Sequence, residues 1–161
     1  MKKTTRSLTH GALIAALYVA LTRLAQLLGL ASGAIQVRFS EALTVLPYFT
    51  AAAVPGLTVG CLLANILTGC ALWDVVFGTL ATLLGAVLTR SLRQYSHLLA
   101  PLPPIAANTL IVPFVLTLVY QFPGGLAYHF ATVFLGEVIS CGVLGLLLMA
   151  ALRRVHFSED L

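Results

Sequence analysis

The sequence predicts an all-α integral membrane protein: a bundle of six transmembrane helices with both termini in the cytoplasm. Three observations predict it. Hydrophobic residues make up 60% of the 161-residue chain, more apolar surface than a soluble domain of this length can hide. The charges are few, nine basic and five acidic. They punctuate apolar runs at roughly 11–30, 42–70, 74–89, 102–120 and 126–152, which approach or exceed the length that crosses a bilayer. Finally, the basic residues flanking those runs, Lys2, Lys3, Arg6, Arg90, Arg93, Arg153 and Arg154, fall on one face only if the number of crossings is even. The positive-inside rule makes that face cytoplasmic.

The elements follow in order within a single membrane domain, 1–161. Helix 1 is expected over about 9–30. The run 42–70 is too long for one helix and contains Pro47 and then Pro55-Gly56. Proline is tolerated in the first turn of a helix, where its missing N–H has no partner anyway. The run therefore divides into a short helix over about 41–53, kinked by Pro47, and a third over about 55–71. Ser40 is the expected N-cap of the second, with Glu41 in its first turn where the helix dipole favours an anion. Helices 4, 5 and 6 are expected over 74–90, 102–120 and 126–152. The basic start and apolar core of the first 25 residues resemble a secretory signal. Arg23 and Gln26 follow without a small-x-small cleavage site, which favours a retained first span.

Composition also excludes functions. The net charge of +4 is a topology signal with favourable contact to anionic headgroups, and needs no nucleic acid. Cys61, Cys70 and Cys141 lie inside expected helices without a C-x-x-C pair, and the histidines are scattered at 10, 97, 129 and 156. Neither a disulfide nor a metal set is expected, nor any cofactor. The only lysines are Lys2 and Lys3, so the chain has no P-loop. No hydrolase motif or nucleophile–base pair appears, and no inverted repeat of the secondary-transporter kind. An enzyme is not expected, and energy for transport has to come from partners.

Threading the chain through six spans puts almost every intramembrane polar residue in the outer half. Arg23 and Gln26 close helix 1, and Arg38 ends an external loop over 31–40. Asn65 lies in the outer half of helix 3, Trp73 and Asp74 at the turn into helix 4, and Asn108 on helix 5, which runs on to Tyr120 and Gln121. Tyr128 and His129 lie near the mouth of helix 6, and Glu137 deeper. An ionisable group in hydrocarbon costs at least ~2.5–3.5 kcal/mol, so such groups face a cavity, a partner or water. Each residue has a plainer role as well. Glu137 can pair with Arg23 or His129, Arg38 and Glu41 can snorkel at the interface, and Asp74 can cap helix 4. Asn65 and Asn108 can hydrogen-bond between helices. Taken together they describe a small outward-facing pocket suited to a flat ligand rich in N–H donors. On helix 1, Ala12, Ala16 and Ala20 repeat every four residues in the cytoplasmic half, a spacing that lets another helix approach closely.

Four segments carry a resemblance: Q-V-R-F-S-E-A-L-T-V-L-P-Y-F-T (36–50), V-P-G-L-T-V-G-C-L-L-A-N-I-L-T-G (54–69), W-D-V-V-F-G-T-L-A-T-L-L-G-A-V-L-T (73–89) and L-A-P-L-P-P-I-A-A-N-T-L-I-V (99–112). They resemble the QueT family of queuosine-precursor transporters, whose members are S-components of energy-coupling factor (ECF) transporters. The family pattern carries a proline after Phe49-Thr50 where this chain has Ala51, a departure that touches the loop between helices 2 and 3. The resemblance implies a multi-pass protein of a bacterial cytoplasmic membrane that captures a 7-deazaguanine precursor of queuosine, or a related salvage form, from outside. It implies docking through small residues of helix 1, where Ala12, Ala16 and Ala20 stand, onto a transmembrane coupling protein (T-component) driven by two cytoplasmic ATPases. For such a ligand, Glu41 or Glu137 is the expected acceptor at the base edge, Asn65 or Asn108 the amide, and Trp73 or Tyr128 the stacking face. Asp74 would pair with an aminomethyl cation, and Arg38 lies at the rim. The alternatives are an S-component for another small nutrient, a vitamin or purine, or a small homo-oligomeric channel lined by Glu137 and the asparagines.

Overall fold

The computed structural model describes residues 3–30 and 35–154. Lys2, the 31–34 part of the expected external loop and His156 lie outside the described residues. The chain forms α1 (Lys3–Leu27), a 3-10 helix (Phe39–Tyr48), α2 (Ala53–Leu67), α3 (Leu72–Leu92), a short 3-10 turn (His97–Leu99) and α4 (Leu102–Leu118). The last run is continuous: α5 (Gly125–Glu137), a π-helical segment (Val138–Leu144) and α6 (Gly145–Arg154). Among the described residues, four stretches are long and apolar enough to cross a membrane: Thr5–Leu27, Leu72–Leu92, His97–Leu118 and Gly125–Arg154. Ala53–Leu67 is apolar but shorter. The protein is a membrane protein built of helices.

The expected α-helix over 41–53 is replaced by the 3-10 helix. Its N-cap is Arg38, without a side-chain cap bond, and Ser40 instead accepts a hydrogen bond from Thr22 at 2.9 Å. The reason lies in its surroundings. The segment packs on α1, α2, α3, the π segment and α6, and Ser40, Glu41 and residues 43–47 are all buried. Tertiary contacts on every side override local preference, and Pro47, which has no N–H, already breaks the α pattern. The Arg90 guanidinium donates to the carbonyls of Pro47 and Tyr48 at 3.2 and 3.3 Å, meeting acceptors that a helix end leaves without partners.

α2 then begins at Ala53 rather than at Pro55. It ends in a paired turn: Gly69 adopts φ +75°, its N–H bonds to the Ile66 carbonyl at 3.1 Å, and the Cys70 N–H bonds to the Asn65 carbonyl at 3.0 Å. Only a residue that accepts a left-handed backbone closes a helix this way. α3 starts at Leu72, so Trp73 and Asp74 sit inside its first turn. α4 opens with Pro103-Pro104 in its first turn, where proline is compatible with the helix.

The bundle is held by close approach as much as by large side chains. The inner face of α1 carries Ile14, Ala15, Tyr18, Thr22 and Ala25, all buried. A Cβ added at Gly60 of α2 would lie 2.8 Å from Tyr18 Cβ and 3.0 Å from Ala15 Cα. Small residues at such crossings let backbones touch, which matters where lipid gives helices no hydrophobic reason to associate. Leu13, Leu17, Leu62, Leu84, Leu88 and Leu147 are exposed, the lipid-facing side of the same helices.

Candidate binding site

A cavity of about 30 Å³ lies among the 3-10 helix, α2, α3, α4 and α5. Gln36, Arg38, Glu41 and Cys61 line one side, and Gly78, Thr82, Asn108, Val112, Val133 and Glu137 the rest. That volume is on the order of one water molecule, so a ligand the size of a purine enters only as the walls part.

Four of the residues singled out from sequence therefore meet around one space: Arg38, Glu41, Asn108 and Glu137. Glu41 is 2% exposed. One of its oxygens accepts a short hydrogen bond from the Tyr18 hydroxyl. The other faces the Asn108 amide at 3.4 Å and the Cys141 thiol at 4.0 Å. The same thiol donates to Glu137 at 3.1 Å and accepts from the Thr44 hydroxyl at 3.4 Å. The ligating atoms of Glu41, Glu137 and Cys141 lie within 4.8 Å of one another. A thiol bridging two carboxylates, with Tyr18 and Asn108 completing the set, is the arrangement of a hydrogen-bonded polar network.

Arg38 is placed by its backbone, whose N–H donates to Ser140 at 3.1 Å, while its guanidinium reaches Gln36 at 3.4 Å. Burial pulls this guanidinium down, and the acids more than offset it, Asp74 first, so the group is held above its ordinary range. Ser140 and Cys141 both belong to the π segment, which starts directly after Glu137. The widened turn brings three polar side chains inward from one short stretch, the kind of use π segments often have. Gly136 is the matching device on α5: a Cβ there would overlap the Gln36 carbonyl, so only glycine lets α5 approach residues 36–38.

Asn65 is buried at 3% but stands behind the cavity wall. Its amide donates to Cys61 at 3.6 Å, and a Cβ on Gly78 would lie 3.1 Å from its Nδ2. Asp74, 6% exposed, is no N-cap. It accepts the Tyr120 hydroxyl at 3.0 Å, and that oxygen in turn accepts the Ala71 N–H at 3.0 Å. Burial, together with this carboxylate, pushes the Tyr120 phenol up to about 12, which keeps it a donor to Asp74.

Trp73 and Tyr128 are not brought to the cavity. Trp73 is 57% exposed and stacks on Phe77 at 5.9 Å, and Tyr128 is 45% exposed. Both stand near the starts of their helices, α3 and α5, and helix ends are where aromatic side chains are enriched in membrane spans. The walls facing the space are aliphatic instead, Val112 and Val133. Arg23 is exposed and holds Gln26 at 2.9 Å, so it is no partner for Glu137. Tyr18, Cys61, Cys141 and Thr82 were not legible as site residues, because nothing in an apolar helix marks which small polar group faces inward.

On α1, Ala12, Ala16 and Ala20 are all exposed, on the side away from the Tyr18 face. Ala12 also lines an apolar groove of about 460 Å³ between α1 and α2, with Leu8, Gly11, Pro55, Gly56 and Val59.

Apolar helices around a buried acidic cavity are the architecture of a membrane protein with an internal polar chamber. Residues 8–154 match the family described as QueT transporter, and the chain belongs to that family, a family of transporters rather than enzymes. No curated protein and no solved structure matches the chain.

Proposed function

We propose that this chain is the substrate-binding S-component of an ECF-type importer in a bacterial cytoplasmic membrane, and that it captures a 7-deazaguanine precursor of queuosine from outside. The observation that carries the reading is the meeting of Glu41, Asn108 and Glu137 at one buried cavity. Two acids, Glu41 and Glu137, line the cavity together with one arginine, Arg38. Buried carboxyl groups in excess of cations favour a ligand that brings N–H donors or a cation. A guanine-like edge presents N1–H and N2–H beside an oxygen acceptor, which one carboxylate and one amide can satisfy together. Glu137 serves as the base-edge acceptor with Glu41 beside it, Asn108 as the amide, and Val112 and Val133 as the flat walls.

Six crossings suit the chain if the 3-10 helix counts as one. Its Phe39 end lies beside the outer part of α1, where Ser40 meets Thr22. Its Tyr48 end is clasped by Arg90 at the C-terminus of α3. Arg6, Arg90, Arg93, Arg153 and Arg154 then share the cytoplasmic face. Turnover depends on a T-component, which docks on the exposed Ala12-Ala16-Ala20 side of α1, and on the two ATPases that drive it.

Calorimetric titration of the purified protein with 7-deazaguanines, purines and vitamins tests the reading. Binding of the deazaguanines alone is expected, with Glu137→Gln and Glu41→Gln each weakening it by about ten- to a hundredfold. Undiminished affinity in both variants removes the assignment, and a vitamin or purine as the tight ligand replaces it. Ligand-independent flux from the protein alone in vesicles would favour the channel.

A further inference from the structure

His129 stands outside the network described above. It is 3% exposed, and its Nδ1 lies 2.8 Å from the Thr117 hydroxyl oxygen. That hydroxyl donates its own hydrogen to the Pro113 carbonyl at 2.8 Å, so toward the imidazole it can only accept. The hydrogen between them therefore sits on Nδ1. In the neutral ring this leaves Nε2 with a bare lone pair, and Nε2 is buried with no hydrogen-bond partner among the described residues. An acceptor held in a fixed direction and left unpaired is costly to keep.

Its position says what it serves. His129, Val133 and Glu137 follow one another at intervals of four on α5, within about one face of the helix, and Val133 and Glu137 both line the cavity. Thr117 lies on α4, which contributes Asn108 and Val112 to the same cavity. His129 thus marks the outer end of the α4–α5 seam. Eight residues of helix separate it from Glu137, on the order of 12 Å, comparable to a substituted bicyclic base with a hydrogen bond at each end.

We propose that His129 Nε2 is a specificity group of this pocket, accepting a hydrogen bond from an amine or hydroxyl substituent at the outer end of the ligand. The inference rests on the deazaguanine reading given above. A substituent that only accepts, such as a nitrile, meets the lone pair and is disfavoured.

The test is calorimetry on the full chain with three probes: 7-deazaguanine, 7-aminomethyl-7-deazaguanine and 7-cyano-7-deazaguanine. The wild type is expected to prefer the aminomethyl base over the cyano base by about tenfold or more. His129→Phe lowers that preference about tenfold while affinity for 7-deazaguanine stays within about threefold, and His129→Gln, which keeps an acceptor oxygen, recovers part of it. An unchanged preference in His129→Phe overturns the role of His129 alone. If His129→Phe binds none of the probes, nitrogen-15 spectra of histidine-labelled wild type decide. A shift at Nε2 with the aminomethyl base and not the cyano base supports the proposal, and no shift overturns it. Wild type that binds none of the three overturns the deazaguanine reading, and this inference with it.

Discussion

The carboxylate of Glu41 is met by donors from two elements, the Tyr18 hydroxyl of α1 and the Asn108 amide of α4, with the Cys141 sulfur of the π segment 4.0 Å away. A buried carboxyl group is tolerable only when polar partners converge on it, and each donor is then worth more than its count. Tyr18→Phe removes the shortest of these bonds and leaves an oxygen exposed to an apolar core. A loss of about 1–3 kcal/mol is expected, read as a lower thermal midpoint in detergent, with ligand affinity reduced as well. Tyr120→Phe has a different signature: it strips both Asp74 and the Ala71 N–H of a partner. It should destabilise the turn between α2 and α3, measured as faster amide exchange at Ala71. At this scale the sequence marks ionisable residues that are expensive to bury, Glu137 first, and leaves Glu41 with an interfacial role as its alternative. It could not show Tyr18 or Cys141, whose polar atoms are cheap enough to occur anywhere in a membrane helix.

Elements turn those residues into a site by unusual backbone, and here sequence reading fell short for a physical reason. Residues 41–53 have the composition of a short kinked α-helix, but burial on every side and Pro47 wind 39–48 more tightly. The π segment has no marker in composition either, since its character comes from what Ser140 and Cys141 have to reach. The long apolar runs show in the sequence because a bilayer imposes length and apolarity on the chain directly, but their ends do not: α1 starts at Lys3 rather than about residue 9, and α2 stops at Leu67 rather than about 71. Gly136 gives the sharpest element-scale prediction. Gly136→Ala pushes α5 from the Gln36 carbonyl and should weaken ligand binding by about tenfold or more. The protein should remain folded by circular dichroism, while Gly142→Ala, whose added Cβ meets only ordinary contacts at 3.8 and 3.9 Å, leaves affinity unchanged.

Across the whole molecule, polar groups face the inside of the bundle, while the small residues Ala12, Ala16 and Ala20 lie on the exposed side of α1. The cavity sits among the Tyr18, Glu41 and Glu137 level, whereas Ala12 and the groove beside Pro55 lie toward the N-terminal end of α1. If that end docks to a motor, function divides cleanly between the two. Ala12→Leu or Ala16→Leu should leave ligand binding by the isolated chain within about twofold, yet abolish uptake in vesicles that also hold the coupling protein and ATPases. Retained uptake would show that docking uses another surface.

The Phe39–Tyr48 segment places Glu41 near one end and the carbonyls gripped by Arg90 at the other. A 3-10 helix rises about 2.0 Å per residue and an α-helix about 1.5 Å. Ten residues rewound from one form to the other would draw the two ends together by about 5 Å. The molecule thus carries, between its acidic chamber and its basic rim, a strut whose length is set by its winding.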